Sequence, residues 1–233
     1  MAGAVQGAGV EAVLDSNVAT TKNVLDIMEK CGIPKLIFMS TAAVWSDSTG
    51  TRLSELTPAN PTTLYGYAKL SAERLIADSI GQDKISAATV LRCNNTYGPG
   101  GVQGVVANFM ARLIKGQPVQ IQGDGQQLRE PLFVTDLIDV IVKALAKDQG
   151  LHTFGISGPE AMTIASMAET IARVLDVKLE VNKKPENSER SRHIIMDTGK
   201  AQREFDWNPG IDFERGCRLY AASFHDEPNA AGA

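Results

Sequence analysis

The amino-acid sequence predicts an α/β fold: a partial doubly wound parallel sheet, then a smaller mixed region. Three observations carry this. Helix-period and strand-type apolar segments alternate up to about Gly98. The strand-type segments are apolar throughout, as strands covered on both faces are. Beyond Gly98 the pattern becomes mixed, with short strands set among helices.

Val10, Val13, Leu14, Val18, Val24, Leu25 and Met28 follow a helical period that Gly32 and Pro34 stop. Leu36-Ile37-Phe38-Met39 reads as a buried strand, and a Ser-, Thr- and Pro-rich loop covers 46–63. The helix that carries Tyr65 runs to about Ile80, and Ala87-Ala88-Thr89-Val90-Leu91 is the next buried strand. A helix near 104–115, a strand at Val119-Gln120-Ile121 and a helix from about Thr135 to Lys147 follow, with Asp136 as the cap of the latter. Phe154-Gly155-Ile156 reads as one more strand, ahead of helices near 162–174, 197–205 and 212–224. The expected organisation is therefore residues 1–98 and 99–233, with a strand near 152–156 returning to the first sheet.

Bulk properties exclude several function classes. A net charge of −4 and a pI near 5.5 give no electrostatic case for nucleic acid or an anionic membrane surface. Cys31, Cys93 and Cys217 are widely spaced, and His152, His193 and His225 do not cluster near them. That is neither a disulfide framework nor a metal site, and a reducing cytoplasm is the default expectation. No apolar run approaches the roughly 18 residues of a membrane span, and the start lacks the charged-then-apolar order of a signal peptide.

The most informative feature is Tyr65 and Lys69 within Pro61-Thr62-Thr63-Leu64-Tyr65-Gly66-Tyr67-Ala68-Lys69. At i and i+4 on a helix they share one face, so an ammonium can sit beside a phenol. A phenol titrates near pH 10, and a fixed positive neighbour favours the phenolate and brings it toward a working range. Ser40-Thr41, at the end of an apolar strand, can supply a hydroxyl to the same site. Tyr67 has no lysine four residues on and reads as a packing residue.

These segments resemble the extended short-chain dehydrogenase/reductase family, the NAD-dependent sugar-nucleotide epimerases and dehydratases. Phe38 to Trp45 resembles the family's strand-end Ser/Thr motif, and Pro61 to Lys69 its Tyr-x-x-x-Lys helix. Leu91-Arg92-Cys93-Asn94-Asn95-Thr96-Tyr97-Gly98-Pro99-Gly100 is similar to its Leu-Arg-x-x-Asn-x-Tyr-Gly-Pro run. Gly123-Asp124-Gly125 with Arg129-Glu130 and Phe133 to Asp136 resembles its substrate-phosphate segment, and Asp197 to Ala201 and Trp207-Asn208-Pro209 extend the likeness.

The resemblance implies a Rossmann-type sheet, NAD as cofactor and a nucleotide sugar of the UDP- or dTDP-hexose type as substrate. It gives Tyr65 the proton transfer at a sugar hydroxyl, Lys69 the nicotinamide ribose and the lowering of the Tyr65 pKa, and Thr41 a substrate hydrogen bond, although Thr41 could simply cap its strand. Ala2, Gly3, Asn17, Ser40 and Cys93 fall on the cofactor side. Asn17 reads equally as a buried structural amide, and Cys93 stands where the family usually has an aromatic residue. Asn95, Asn108 and Arg129 fall on the substrate side, with Arg192 a second cation that reads equally as part of a solvated charge run with Glu189 and Arg190.

A family member opens with a strand, a glycine-rich turn and a helix. Here Met1-Ala2-Gly3 resembles the family's fourth strand and its Ala-Gly turn, so about 60–70 residues, two βαβ units, are expected to be missing. Gly3, Gly7 and Gly9 fit a phosphate-loop spacing, but only two residues precede Gly3 to form the aiming strand. Family dehydratases carry Asp-Glu after the catalytic Thr, and decarboxylases tend to keep the glutamate; here Ala42 and Ala43 stand there. The resemblance therefore favours an epimerase, with a keto-sugar or hydroxysteroid reductase/dehydrogenase as the alternative, and a non-catalytic dimerising remnant as a third reading. A homodimer through helices near 8–31 and 64–80 is also expected.

Overall fold

The structure, a computed structural model, describes residues 9–45, 51–185 and 193–226. The helical run at the start divides into α1 (Val10–Leu14), a π-helical turn (Asp15–Ala19) and α2 (Thr20–Cys31). It ends where sequence placed its end. Gly32 takes the left-handed conformation (φ 63°), and the Ile33 amide returns to the Met28 carbonyl at 2.9 Å, closing a helix end that a residue with a Cβ would strain. Then come β1 (Lys35–Thr41), a 3₁₀ turn (Ala42–Val44), α3 (Leu64–Gly81) and β2 (Ala87–Cys93). Thr63 begins α3 as an N-cap, its hydroxyl oxygen accepting the Gly66 amide at 3.0 Å.

The remaining elements are β3 (Thr96–Tyr97), α4 (Val105–Ile114), β4 (Val119–Gln122), β5 (Leu128–Arg129), β6 (Leu132–Phe133) and α5 (Val134–Ala144). They are followed by β7 (Gly150–Ile156), β8 (Met162–Thr163), α6 (Ile164–Leu175), β9 (Val181–Lys184), α7 (Gly199–Phe205) and α8 (Phe213–Asp226).

The chain divides into two units. The first takes in Met1–Cys93, Asp139–Ile156 and Met196–Trp207. Its sheet has the order β1-β2-β7, all parallel, with Ser40 beside Arg92 and Thr41 beside Cys93 in register. Every residue of β2 from Ala87 to Arg92 is buried, which explains the unbroken apolar run. Leu25 and Met28 of α2 pack with Ile76 of α3, Ile85 and Ala88, so both helices lie against the sheet through one apolar cluster. This fixes the face of α3 that also carries Lys69, buried in the same helix.

The second unit comprises Asn94–Ile138, Ser157–Ile195 and Asn208–Ala233. Its core gathers Phe109, Met110 and Leu113 of α4, Val119 and Ile121 of β4, Met167 and Ile171 of α6, and Phe213, Cys217 and Tyr220 of α8. Three two-stranded pairs accompany it: β3 with β6 and β4 with β9, both parallel, and β5 with β8, antiparallel.

Two sequence expectations are corrected. Asp136 lies inside the first turn of α5 rather than ahead of it at the N-cap position, and its carboxylate accepts the Ile211 amide at 3.1 Å. Tyr67 is 56% exposed and is not a packing residue. Among the described residues no helix is long and apolar enough to cross a membrane, and no group of three or more His, Cys, Asp and Glu could hold a metal ion.

Candidate active site

The first unit brings Thr41, Tyr65, Lys69 and Cys93 to the same end of its sheet. Thr41 is the last residue of β1 and Cys93, its register partner, the last of β2. The Thr41 oxygen accepts the Ala43 amide at 3.2 Å, which caps the 3₁₀ turn and holds the hydroxyl at the strand end.

Lys69 is buried, and its ammonium donates to the Met39 carbonyl at 3.0 Å. The nitrogen stands 4.8 Å from the Phe38 ring centroid and 6.0 Å from that of Tyr65. A cation over a ring face is favoured by the ring quadrupole, and the close backbone acceptor fixes its direction. Burial lowers the Lys69 pKa, while Cys93 and Glu73 act to raise it. Burial likewise raises the Tyr65 pKa, hydrogen bonding with Thr41 lowers it, and Cys93 raises it. This corrects the sequence expectation: in the chain itself desolvation outweighs any lowering of the phenol's pKa by Lys69, and Tyr65 is held neutral. Burial also pushes the Cys93 thiol up from 9.0 to about 12, with Lys69 opposing, so the thiol is protonated at neutral pH. Its sulfur lies 3.6 Å from the Leu91 carbonyl oxygen.

Behind these residues lies an arrangement that sequence reading missed. Glu73, one helical turn beyond Lys69, is buried and bound by Arg92, whose Nε lies 3.1 Å from Oε1 and whose Nη2 lies 2.7 Å from Oε2. The Ser40 hydroxyl donates to the same carboxylate. The Arg92 guanidinium also lies 4.8 Å from the Trp45 ring centroid. Sequence did carry a signal: Lys69 and Glu73 repeat the i, i+4 spacing, and a lone arginine closes an otherwise apolar strand. Ser40, expected on the cofactor side, spends its hydroxyl proton on Glu73.

Asn17 is buried within the π-helical turn and donates through Nδ2 to the Val13 carbonyl at 2.9 Å and to Ser16 at 3.1 Å. Asn95, Asn108 and Arg129 belong to the second unit. Asn95 has positive φ (41°), which asparagine tolerates, and its carbonyl accepts the Leu132 amide at 3.2 Å. Asn108 is exposed on α4. Arg129 is half-buried, and its Nη1 donates to the Leu128 carbonyl at 2.8 Å. Ala2, Gly3 and Arg192, together with most of the Gly3–Gly9 segment, lie outside the described residues.

The parallel sheet of the first unit thus places a strand-end hydroxyl, Thr41, beside the helical Tyr65 and Lys69 pair. The chain matches the NAD dependent epimerase/dehydratase family over residues 4–164, more than half its length, and belongs to that family. It is 27% identical over 221 residues to UDP-glucuronic acid decarboxylase 1 of Arabidopsis thaliana, covering 91% of this chain and 50% of that one. It is 31% identical over 210 residues to a protein of Methanocaldococcus jannaschii named as a UDP-glucose 4-epimerase, covering 88% and 67%. The crystal structure of a UDP-glucose 4-epimerase with UDP-glucose from Thermotoga maritima superposes with a TM-score of 0.85 at 26% identity, covering 95% of this chain and 75% of that one. The chain thus spans about half the length of the first of these relatives.

Proposed function

We propose that this chain carries the proton-transfer site of an NAD-dependent nucleotide-sugar epimerase. The single observation that carries this is the assembly of Thr41, Tyr65 and Lys69 at one strand end, with Lys69 buried and aimed. The residues fit the cofactor. An ammonium has three N–H donors, and the Met39 carbonyl takes one, leaving donors suited to a ribose diol. When bound, NAD supplies a hydride acceptor and a positively charged ring.

Tyr65 takes the proton of the sugar hydroxyl as the carbon is oxidised, and gives it back when the carbon is reduced from the other face. Burial holds the phenol neutral in the chain itself, so it becomes a base only where added positive charge or the Thr41 hydrogen bond favours the phenolate. Thr41, its hydroxyl oxygen held by the Ala43 amide, gives its proton to the hydrogen bond with Tyr65 that favours the phenolate. The family resemblance, rather than a contact, assigns Asn95, Asn108 and Arg129 of the second unit to the nucleotide sugar, where a planar guanidinium suits paired phosphate oxygens.

Epimerisation is favoured over dehydration because the turn after Thr41 is Ala42-Ala43-Val44, without the carboxylates that water removal requires. The buried carboxylate nearby, Glu73, is committed to Arg92. A second copy of the chain is proposed to pack on α1–α3, where Val10, Leu14, Ile27, Leu64 and Tyr67 are exposed apolar residues. Calorimetric titration of the protein with NAD, alongside Lys69→Ala, tests the cofactor reading. Saturable binding weakened at least tenfold in Lys69→Ala supports it; equal affinity in both opposes it.

A further inference from the structure

One buried carboxylate ties together all three elements that carry the site. Glu73 sits on α3, four residues after Lys69 and eight after Tyr65. Ser40, which donates to it, immediately precedes Thr41 on β1. Arg92, which grips it with contacts of 3.1, 3.3 and 2.7 Å, immediately precedes Cys93 on β2. Ser40 and Arg92 are register partners, so the carboxylate spans two adjacent strands at once. All three side chains are buried, and Trp45, also buried, covers the guanidinium.

We propose that Glu73 is the positioning residue of the Tyr65–Lys69 pair: pinned by Arg92 and Ser40, it fixes the face of α3 that carries both side chains against the strand ends that carry Thr41 and Cys93. This inference rests on the reading of Lys69 as the cofactor-side lysine. A buried ion pair is weak grounds for a purely stabilising role. Replacing such a pair by apolar residues of similar volume is often neutral or stabilising, whereas removing one partner strands a charge. The pair here faces a site, and its carboxylate, after Cys93, acts against the lowering of the Lys69 pKa by burial. The groups that face Lys69 are Tyr65 and Glu73 on α3, Cys93 on β2, and the uncharged Phe38 ring and Met39 carbonyl on β1. Arg92 is held behind Glu73 by the contacts above.

The test follows the Lys69 ammonium directly, by NMR titration of isotope-labelled lysine with the resonance assigned through its loss in Lys69→Arg. It needs neither cofactor nor turnover, so it can fail while the epimerase reading stands, and succeed if that reading fails. Two variants are compared with the unaltered chain. Glu73→Gln removes the carboxylate and leaves Arg92 unpaired; Glu73→Leu with Arg92→Met removes both charges. The expected result is that the double variant folds with a melting temperature at or above that of the unaltered chain, yet its Lys69 titrates at lower pH, as in Glu73→Gln. A folded double variant whose Lys69 titrates as in the unaltered chain overturns the proposal. So does a double variant that cannot fold, since the pair would then serve the fold rather than the site.

Discussion

Gly66 lies between Tyr65 and Tyr67, where α3 meets the turn that follows Thr41. A Cβ built there stands 2.2 Å from the Ala43 carbonyl oxygen and 2.9 Å from Pro61 Cβ. Ordinary contact begins near 3.4 Å, so Gly66→Ala forces α3 and the turn apart by about 3.4 − 2.2 = 1.2 Å. The obstacle is backbone, which cannot rotate away as a side chain can. Overpacking of this kind costs about 1–3 kcal/mol, offset by about 1 kcal/mol from the better helix propensity of alanine. The net expectation is a loss of up to about 2 kcal/mol, or up to roughly 8 °C in Tm for a chain of this size. A displacement of about 1 Å between Tyr65 and Thr41 also lowers turnover by about 100-fold.

Gly81, at the other end of the same helix, is the control: nothing lies within 4 Å of an added Cβ, and its φ is not positive. Gly81→Ala is expected to stabilise by about 0.4–1 kcal/mol. Urea denaturation of both variants gives the comparison. Equal stability of Gly66→Ala and Gly81→Ala would refute the close approach of α3 to the Thr41 turn.

Other outcomes follow from the same geometry. Ile76, fully buried between α2, α3 and the sheet, is expected to cost about 2–5 kcal/mol as Ile76→Ala, read by denaturant midpoint. Burial, with Glu214 and Asp212, pushes the Cys217 thiol from 9.0 to about 12. Below pH 9 the thiol is neutral in folded and unfolded chain alike. Above it the unfolded chain loses the proton first, so stability falls from pH 9 upward, by roughly 2 kcal/mol at pH 10.5 from this residue. Cys217→Ala should flatten the slope of stability against pH over that range. If a second copy covers α1–α3, Leu64→Glu with Tyr67→Glu should yield monomers by sedimentation at concentrations where the unaltered chain associates. Unchanged mass would remove that face from consideration.

How legible was this in the sequence? The frame of the first unit was: apolar period, Gly32 and the Ser-, Thr- and Pro-rich loop ending at 63 place α2, β1, α3 and β2 within a few residues, because both faces of the sheet and one face of each helix must be apolar. The Tyr65–Lys69 face was legible for the same reason, since helical spacing alone puts those side chains together. Other features depended on contacts distant in sequence. The π-helical turn at Asp15–Ala19 lies inside the helical run and is marked there by neither glycine nor proline. Strand β9 is exposed along its length and carries no apolar alternation; only its pairing with β4 makes it a strand. Strand β7 begins at Gly150, with φ 77°, rather than at Phe154, because its first half is more exposed and polar. Glu73 and Arg92 lie 19 residues apart, and nothing in that spacing joins them. Their meaning comes from the register that sets Ser40 beside Arg92. The pKa of Tyr65 illustrates the same limit: spacing supplied the neighbouring charge, but the burial that outweighs it is a property of the folded chain.

The most direct measurement is chromatographic detection of UDP-hexose interconversion by the protein with NAD, set against Tyr65→Phe. The variant keeps the ring and removes only the hydroxyl that moves the proton. The expected result is interconversion that falls at least 100-fold in Tyr65→Phe, in keeping with the loss of a general acid–base group. Interconversion at an undiminished rate in Tyr65→Phe would contradict the assignment of Tyr65 as the group that carries the proton.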